Sequence, residues 1–150
     1  MWSRGFSLVE MVVAIGFIAI LLAIGYPHLA RLAAIYRLEG SARNLALTFQ
    51  KVRLRAIAEG KCFQVTFDGA ARTYRVLSKA GTTPCGISGF TNDGVAQKLD
   101  DADTISVAAT ASPVFDARGG APTPSVVTLA NRDGGVQLVG VNGAGRVHVQ

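Results

Sequence analysis

Raw material for catalysis is scarce in this chain. Its 150 residues hold two histidines, His28 and His148, and two cysteines, Cys62 and Cys85. The patterns His-Glu-x-x-His, Gly-x-Ser-x-Gly and the phosphate-binding loop do not occur, which removes the zinc-protease, serine-hydrolase and nucleotide-hydrolysing readings. Two cysteines are too few for a four-thiolate zinc site, and they are not spaced as a Cys-x-x-Cys pair. Asp100, Asp101 and Asp103 gather carboxylates that read either as ligands for a hard cation such as calcium or as a solvated turn, and their number falls short of a calcium loop. There is no internal repeat and no low-complexity tract. The composition therefore argues against an enzyme and calls for no cofactor.

Charge is also sparse, at 17% of residues, and its distribution is informative. From Phe6 to Tyr26 the only charged residue is Glu10, in an otherwise apolar run. At about 1.5 Å per residue such a run reaches roughly 30 Å, enough to cross a bilayer core. A carboxylate inside it is costly unless paired, which makes Glu10 a functional candidate. The alternative is a glutamate near the interface that snorkels to water. The five residues before the run, with one cation, are too short for the n-region and h-region of an ordinary secretory signal.

The segment Gly5-Phe6-Ser7-Leu8-Val9-Glu10, with Pro27 just beyond the apolar run, resembles the prepilin peptidase motif of type IV pilins and type II secretion pseudopilins. The resemblance implies a leader, residues 1–5, removed after Gly5 by a prepilin peptidase, and N-methylation of the new N-terminal Phe6. It also implies an assembly role for Glu10, which would pair with the Phe6 amine of a neighbouring subunit and set the stagger between them. Phe6 and Glu10 stand four residues apart on a helix, so they could also neutralise each other within one chain.

Residues 27–59 carry six cations against two acids, a net of +4, and residues 60–150 carry eight against seven, a net of +1. The basic character belongs to the stalk, so the pI of about 9.7 says little about nucleic-acid binding by the remainder. Arg31, Arg37 and Arg43 outnumber Arg4 across the apolar run, and the positive-inside rule alone favours a cytoplasmic C-terminus. The resemblance implies the opposite: a single-pass protein of the inner membrane of a Gram-negative bacterium, with its head in the periplasm. Cys62 and Cys85 read either as a disulfide of an oxidising compartment or as two half-buried free thiols.

Leu38, Ala42, Leu45, Phe49, Val52 and Ala56 follow one another at steps of four and three, which predicts an amphipathic helix over 27–59 with one apolar stripe. Packing under a sheet is favoured over a coiled-coil seam, since the stripe runs barely three heptads. Gly60 suits a left-handed cap, and Gly25 with Pro27 predicts a bend or loosening. A helix continuous from Phe6 to Glu59 would extend roughly 80 Å. Beyond Gly60, short alternating segments predict about eight strands: 62–67, 73–77, 95–99, 104–109, 114–115, 125–129, 136–141 and 146–149. Asp68-Gly69, Asn131 to Gly135 and Asn142-Gly143 mark turns, the last a strong hairpin signal. Loops 78–94 and 116–124 are expected to form the variable surface. The resulting fold class is α+β, a long N-terminal membrane-spanning helix packed on a C-terminal antiparallel β-sandwich head. Its parts are a leader at 1–5, a transmembrane segment at 6–26, the amphipathic continuation at 27–59 and the head at 60–150.

The stretch from Val114-Phe115-Asp116 through Gly119-Gly120, Val126 to Leu129 and Val136 to Leu138 to Gly145-Arg146-Val147-His148-Val149 is similar to the H-type pseudopilin and FimT-type minor pilin family (GspH/FimT). That resemblance implies a structural subunit at or near the tip of a short periplasmic filament, with other minor and major pseudopilins or pilins as partners. In the secretion version the filament serves protein export across the outer membrane; in the pilus version it primes pilus assembly, and some FimT-type members bind DNA through a C-terminal Gly-Arg-x-Arg. Here the second arginine is replaced by His148; an unperturbed histidine in general is mostly neutral at pH 7, and each phosphate-directed cation lost weakens binding, which weakens the case for a DNA contact by Arg146 and His148. The other reading of that pair is the exposed face of an edge strand.

Overall fold

The structure is a computed structural model that describes residues 7–81, 85, 86, 88–99 and 105–150. The expected processing site, Gly5 and Phe6, and the acidic group Asp100, Asp101 and Asp103 lie outside the described residues. The chain divides between Ile35 and Tyr36 into two units.

One helix, α1 (Leu8–Glu59), contributes to both units. In the first unit its apolar side chains, among them Leu8, Met11, Ile15, Ile18 and Leu22, are exposed. An 18-residue window there has a mean hydropathy of 2.7 and is long and apolar enough to cross a membrane. The helix runs without interruption through Gly25 and Pro27, so the loosening expected there leaves no trace in its secondary structure.

The second unit holds the core. All six stripe residues of α1, Leu38, Ala42, Leu45, Phe49, Val52 and Ala56, are buried. The helix ends at Glu59, and Gly60 takes a φ of +61°, the left-handed value that lets the chain turn away without a Cβ clash. Among the described residues nine strands follow: β1 (Cys62–Asp68), β2 (Thr73–Lys79), β3 (Thr91–Asn92), β4 (Gln97–Lys98), β5 (Ile105–Ala109), β6 (Val114–Phe115), β7 (Ser125–Asn131), β8 (Val136–Val141) and β9 (Val147–Val149). One sheet has the order β3-β2-β1-β6, with β4 also paired to β2; the other has the order β5-β7-β8-β9. Every pairing is antiparallel. Phe63 and Val65 of β1, Val127 and Leu129 of β7, and Val139 and Val141 of β8 meet the α1 stripe in one apolar cluster. Phe49 sits at its centre, 6.2 Å from Phe67 edge-to-face and 6.3 Å from Phe115 between ring centroids. The fold is thus a long N-terminal apolar helix packed on antiparallel sheets.

Three expectations need correction. The strand predicted at 95–99 shrinks to β4, because Val95 is 86% exposed and has no face to bury. Thr91–Asn92 pairs with β2 although its polar sequence carries no strand signal. Loop 116–124 is not a free variable surface: Ala121 is fully buried within the apolar cluster and Val114 bridges to Thr123.

Candidate functional site

Glu10 occupies the first turn of α1, where a carboxylate is favoured by the unpaired N–H groups of the helix start. Its expected partner, Phe6, is outside the described residues. His28 is exposed on the same helix, in the first unit.

In the second unit three tight loops share one construction. Each begins with Asp or Asn and places a left-handed glycine three residues on: Asp116 to Gly119 (φ +79°), Asn131 to Gly134 (+84°) and Asn142 to Gly145 (+71°). In each the first residue's N–H donates to the carbonyl of the fifth, at 2.9, 3.0 and 3.0 Å, and the glycine N–H returns to the first carbonyl. The Asx side chain then accepts the fifth N–H, at 2.8, 2.7 and 2.9 Å. This is a type I turn completed by a left-handed residue, in which the side chain satisfies a donor that the turn strands. The hairpin signalled by Asn142-Gly143 is therefore a three-residue loop whose special glycine is Gly145.

Two of these loops are held together by the helix. The Nε–H of Arg53 donates to the carbonyl of Gly119 at 2.7 Å, and its Nη2 reaches the carbonyl of Ala144 at 3.4 Å. Ala121 N–H adds a bond to Gly143 at 3.1 Å. Gly119 and Gly145 are packed so closely that a Cβ on Gly145 would collide with the Gly119 carbonyl oxygen, and one on Gly119 would lie 2.7 Å from Ile57 Cδ1. The sequence counted Arg53 only among the stalk cations; the Asx-x-x-Gly spacing repeated at 116, 131 and 142 is the signal by which the loops could have been found.

The C-terminal strand leaves this clamp. Val147 packs toward the core, and Arg146 and His148 on either side of it are exposed. His148 pairs across the strands with Gly140, where any Cβ would strike the imidazole ring. Arg146 and His148 thus share the outward side of a sheet edge.

Cys62 at the start of β1 is joined to Cys85 by a disulfide, with the Cα atoms 5.8 Å apart, and both side chains are buried beside Val114 and Phe90. Near it the end of α1 is fastened to the sheet. The Arg55 guanidinium lies 4.7 Å from the Phe63 ring centroid and pairs with Glu59 at 2.9 Å and Asp93 at 2.8 Å. The hydrogen bond from Arg55 holds the Glu59 carboxyl below the usual carboxylate range, with Lys61 adding to the effect, and the same bond raises Arg55 further. Among the described residues there is no group of three or more His, Cys, Asp or Glu side chains arranged to hold a metal.

The model of the family described as type II transport protein GspH matches residues 41–145, most of the chain, and stops one residue short of Arg146. No curated protein matches the chain by sequence. Among solved structures, the minor pseudopilin EpsH of the type 2 secretion system of Vibrio cholerae superposes with a TM-score of 0.60 at 14% identity, covering 76% of this chain and 96% of that one. The type IV minor pilin FimU of Pseudomonas aeruginosa gives 0.57 at 17% identity, covering 75% and 87%. GspH of E. coli gives 0.55 at 18%, covering 78% and 89%. At these identities the likeness is one of fold.

Proposed function

The chain belongs to the GspH family, and on that premise we propose that it is a minor pseudopilin of a type II secretion system, a structural subunit at or near the tip of the periplasmic pseudopilus. The observation that supports this reading best is the make-up of α1. Its first unit is an exposed apolar helix with Glu10 as the only charge between Ser7 and Tyr26, and its continuation carries the core of the head. A soluble globular protein has no use for so long an exposed apolar surface, whereas a bilayer or a bundle of like helices covers it.

On this reading the leader is removed after Gly5, Phe6 becomes the methylated N-terminus, and Glu10 neutralises the amine of a neighbour during assembly. The helix anchors the protein in the inner membrane, the head lies in the periplasm, and the disulfide between Cys62 and Cys85 fits that oxidising compartment. The partners are other pseudopilins, with prepilin peptidase as the processing enzyme.

A second reading is a FimT-type minor type IV pilin acting in pilus biogenesis and DNA uptake. It draws on the exposure of Arg146 and His148 at the C-terminal edge. The two readings share Gly5, Phe6 and Glu10 and differ at the hairpin.

The test is made in cells. The mature chain should lack Met1 to Gly5 by mass spectrometry, and Glu10→Ala should enter the filament poorly while remaining in the membrane. Retention of the leader, or incorporation of the variant at the parental level, would sink the proposal.

A further inference from the structure

The clamp brings two arginines together from distant parts of the chain. A Cβ on Gly145 would lie 3.1 Å from the Gly119 carbonyl carbon, and both glycines are buried. Arg118 precedes one glycine and Arg146 follows the other. With standard bond lengths around that contact, the Cα atoms of Arg118 and Arg146 are no more than about 14 Å apart. Both arginines are exposed, and among the described residues neither side chain takes part in an ion pair or a hydrogen bond.

Arg53 adds a third guanidinium. Its Nε lies 3.2 and 3.0 Å from the Cβ positions of Gly119 and Gly145, so it sits between the two loops. A cation withdrawn from water is ordinarily paired with an acid. Arg53 is half-buried, yet its hydrogen bonds go only to the carbonyls of Gly119 and Ala144. The one carboxylate of the two loops, Asp116, turns an oxygen to the backbone N–H groups of Arg118 and Gly120. Three guanidinium groups thus share this surface without an ion pair among the described residues.

The described neighbours of Asp100, Asp101 and Asp103 lie at the other end of both sheets. Leu99 bonds to the Arg72 carbonyl beyond the Asp68 end of β1, whereas Asp116 follows Phe115, which pairs with Phe63 near the Cys62 end. Ile105 pairs with Asn131 at one end of β7, and the Asn142 loop follows Val141, which pairs with Ser125 at the other, roughly 20 Å along the strand.

The composition of the loops indicates the kind of anion. Residues 116–120 and 142–146 include no apolar side chain larger than alanine. A protein partner is held mainly by buried aromatic or aliphatic anchors, which these loops lack. A phosphate chain needs none: cations hold it, and a guanidinium fork matches two phosphate oxygens.

We propose that the two clamped loops form a platform for the phosphate chain of DNA, with Arg118 and Arg146 contacting separate phosphates and Arg53 as the positioning residue between them. The proposal rests on the second reading for its ligand and adds to it Arg118 and the clamp.

The test titrates the full chain, in uncharged detergent micelles, with a labelled duplex of about 20 base pairs between about 50 mM and about 300 mM salt. Arg118→Gln and Arg146→Gln should each make the plot of log affinity against log salt shallower by about one unit, and the double variant by about two. Near 0.1 M salt each unit is a loss of about tenfold. Arg132→Gln removes the same charge from the third loop of this construction, at the opposite end of β8, and should leave affinity and slope unchanged. Arg53→Lys keeps the charge but loses the fork; it should weaken binding about threefold with slope and circular dichroism as in the parent. Equal losses for Arg132→Gln and Arg118→Gln would show that binding follows net charge alone, and would overturn the platform. A loss at Arg146 without one at Arg118 would also overturn it while leaving the second reading standing. Competition by poly-glutamate as strong as by unlabelled duplex of equal charge would replace the phosphate chain with an acidic protein. A duplex that fails to bind at the lowest salt removes the proposal together with the DNA contact of the second reading.

Discussion

Replacing Gly145 by alanine isolates the chemistry of the C-terminal loop. The residue has φ +71°, where an L side chain costs about 1 kcal/mol. The new Cβ would also collide with the Gly119 carbonyl oxygen, a backbone atom that accepts the 2.7 Å bond from Arg53. Moving that carbonyl weakens a part-buried hydrogen bond from a charged donor, of the kind worth about 1.5–3 kcal/mol. Together these put the loss near 3 kcal/mol. Gly143, two residues earlier, has no positive φ, and its Cβ would find only the Ala121 oxygen at 3.9 Å. Gly143→Ala should therefore stay within about 0.5 kcal/mol of the parent. Urea titration of the chain in mild detergent, followed by circular dichroism, reads both values, with an unchanged m-value marking a change in stability alone. Because part of the Gly145 loss passes through Arg53, the pair Gly145→Ala and Arg53→Ala should fall short of additivity by about 1–2 kcal/mol. A larger loss for Gly143→Ala than for Gly145→Ala would refute the loop assignment, and full additivity would refute the clamp.

Reduction of the disulfide, which spans a sequence separation of 23, should lower stability by about 3 kcal/mol, read as a shift of the urea midpoint with and without reductant. Glu59 has a folded pKa below its ordinary value of 4.5, so its contribution is complete above that value and fades as pH falls through the lower folded pKa. Glu59→Gln should remove this part of the acid sensitivity while leaving behaviour near neutral pH almost unchanged, as expected of an exposed pair; a stability-versus-pH curve identical to the parent's below that value would contradict it. If the hairpin contacts DNA, Arg146→Ala should weaken binding and make its salt dependence shallower by about one unit of slope; binding unaffected by the substitution would exclude this residue from the contact.

The helix stripe was legible because its six positions satisfy a single period and all six are buried, and β1 was legible because Phe63 and Val65 alternate with polar neighbours. Such signals are local, and a one-face burial pattern reports itself in any short window. Thr91–Asn92 has no such pattern. It pairs because the chain returns along the edge of β2, placing Asn92 opposite Leu77 and Thr91 opposite Ser78, a long-range event without a local signature. Arg53 is likewise invisible in sequence, since its role depends on two carbonyls 66 and 91 residues away.

The C-terminal hairpin shows how a correct local signal can name the wrong residue. A two-residue turn at Asn142-Gly143 would pair Val141 with Ala144, and by antiparallel counting would place Arg146 opposite Val139, which is fully buried. A three-residue loop instead pairs Val141 with Val147 and Val139 with Val149, matching valine to valine on the same side. Burial of an unpaired guanidinium costs far more than any preference among turns. Val139, Val141 and Val147, which are buried or packed against the core, therefore select the longer loop, and the longer loop then needs its left-handed residue at 145. The same register turns Arg146 and His148 outward. Their exposure follows from packing the valines and by itself argues for no ligand, so a case for DNA contact has to come from the charge they present and its response to salt.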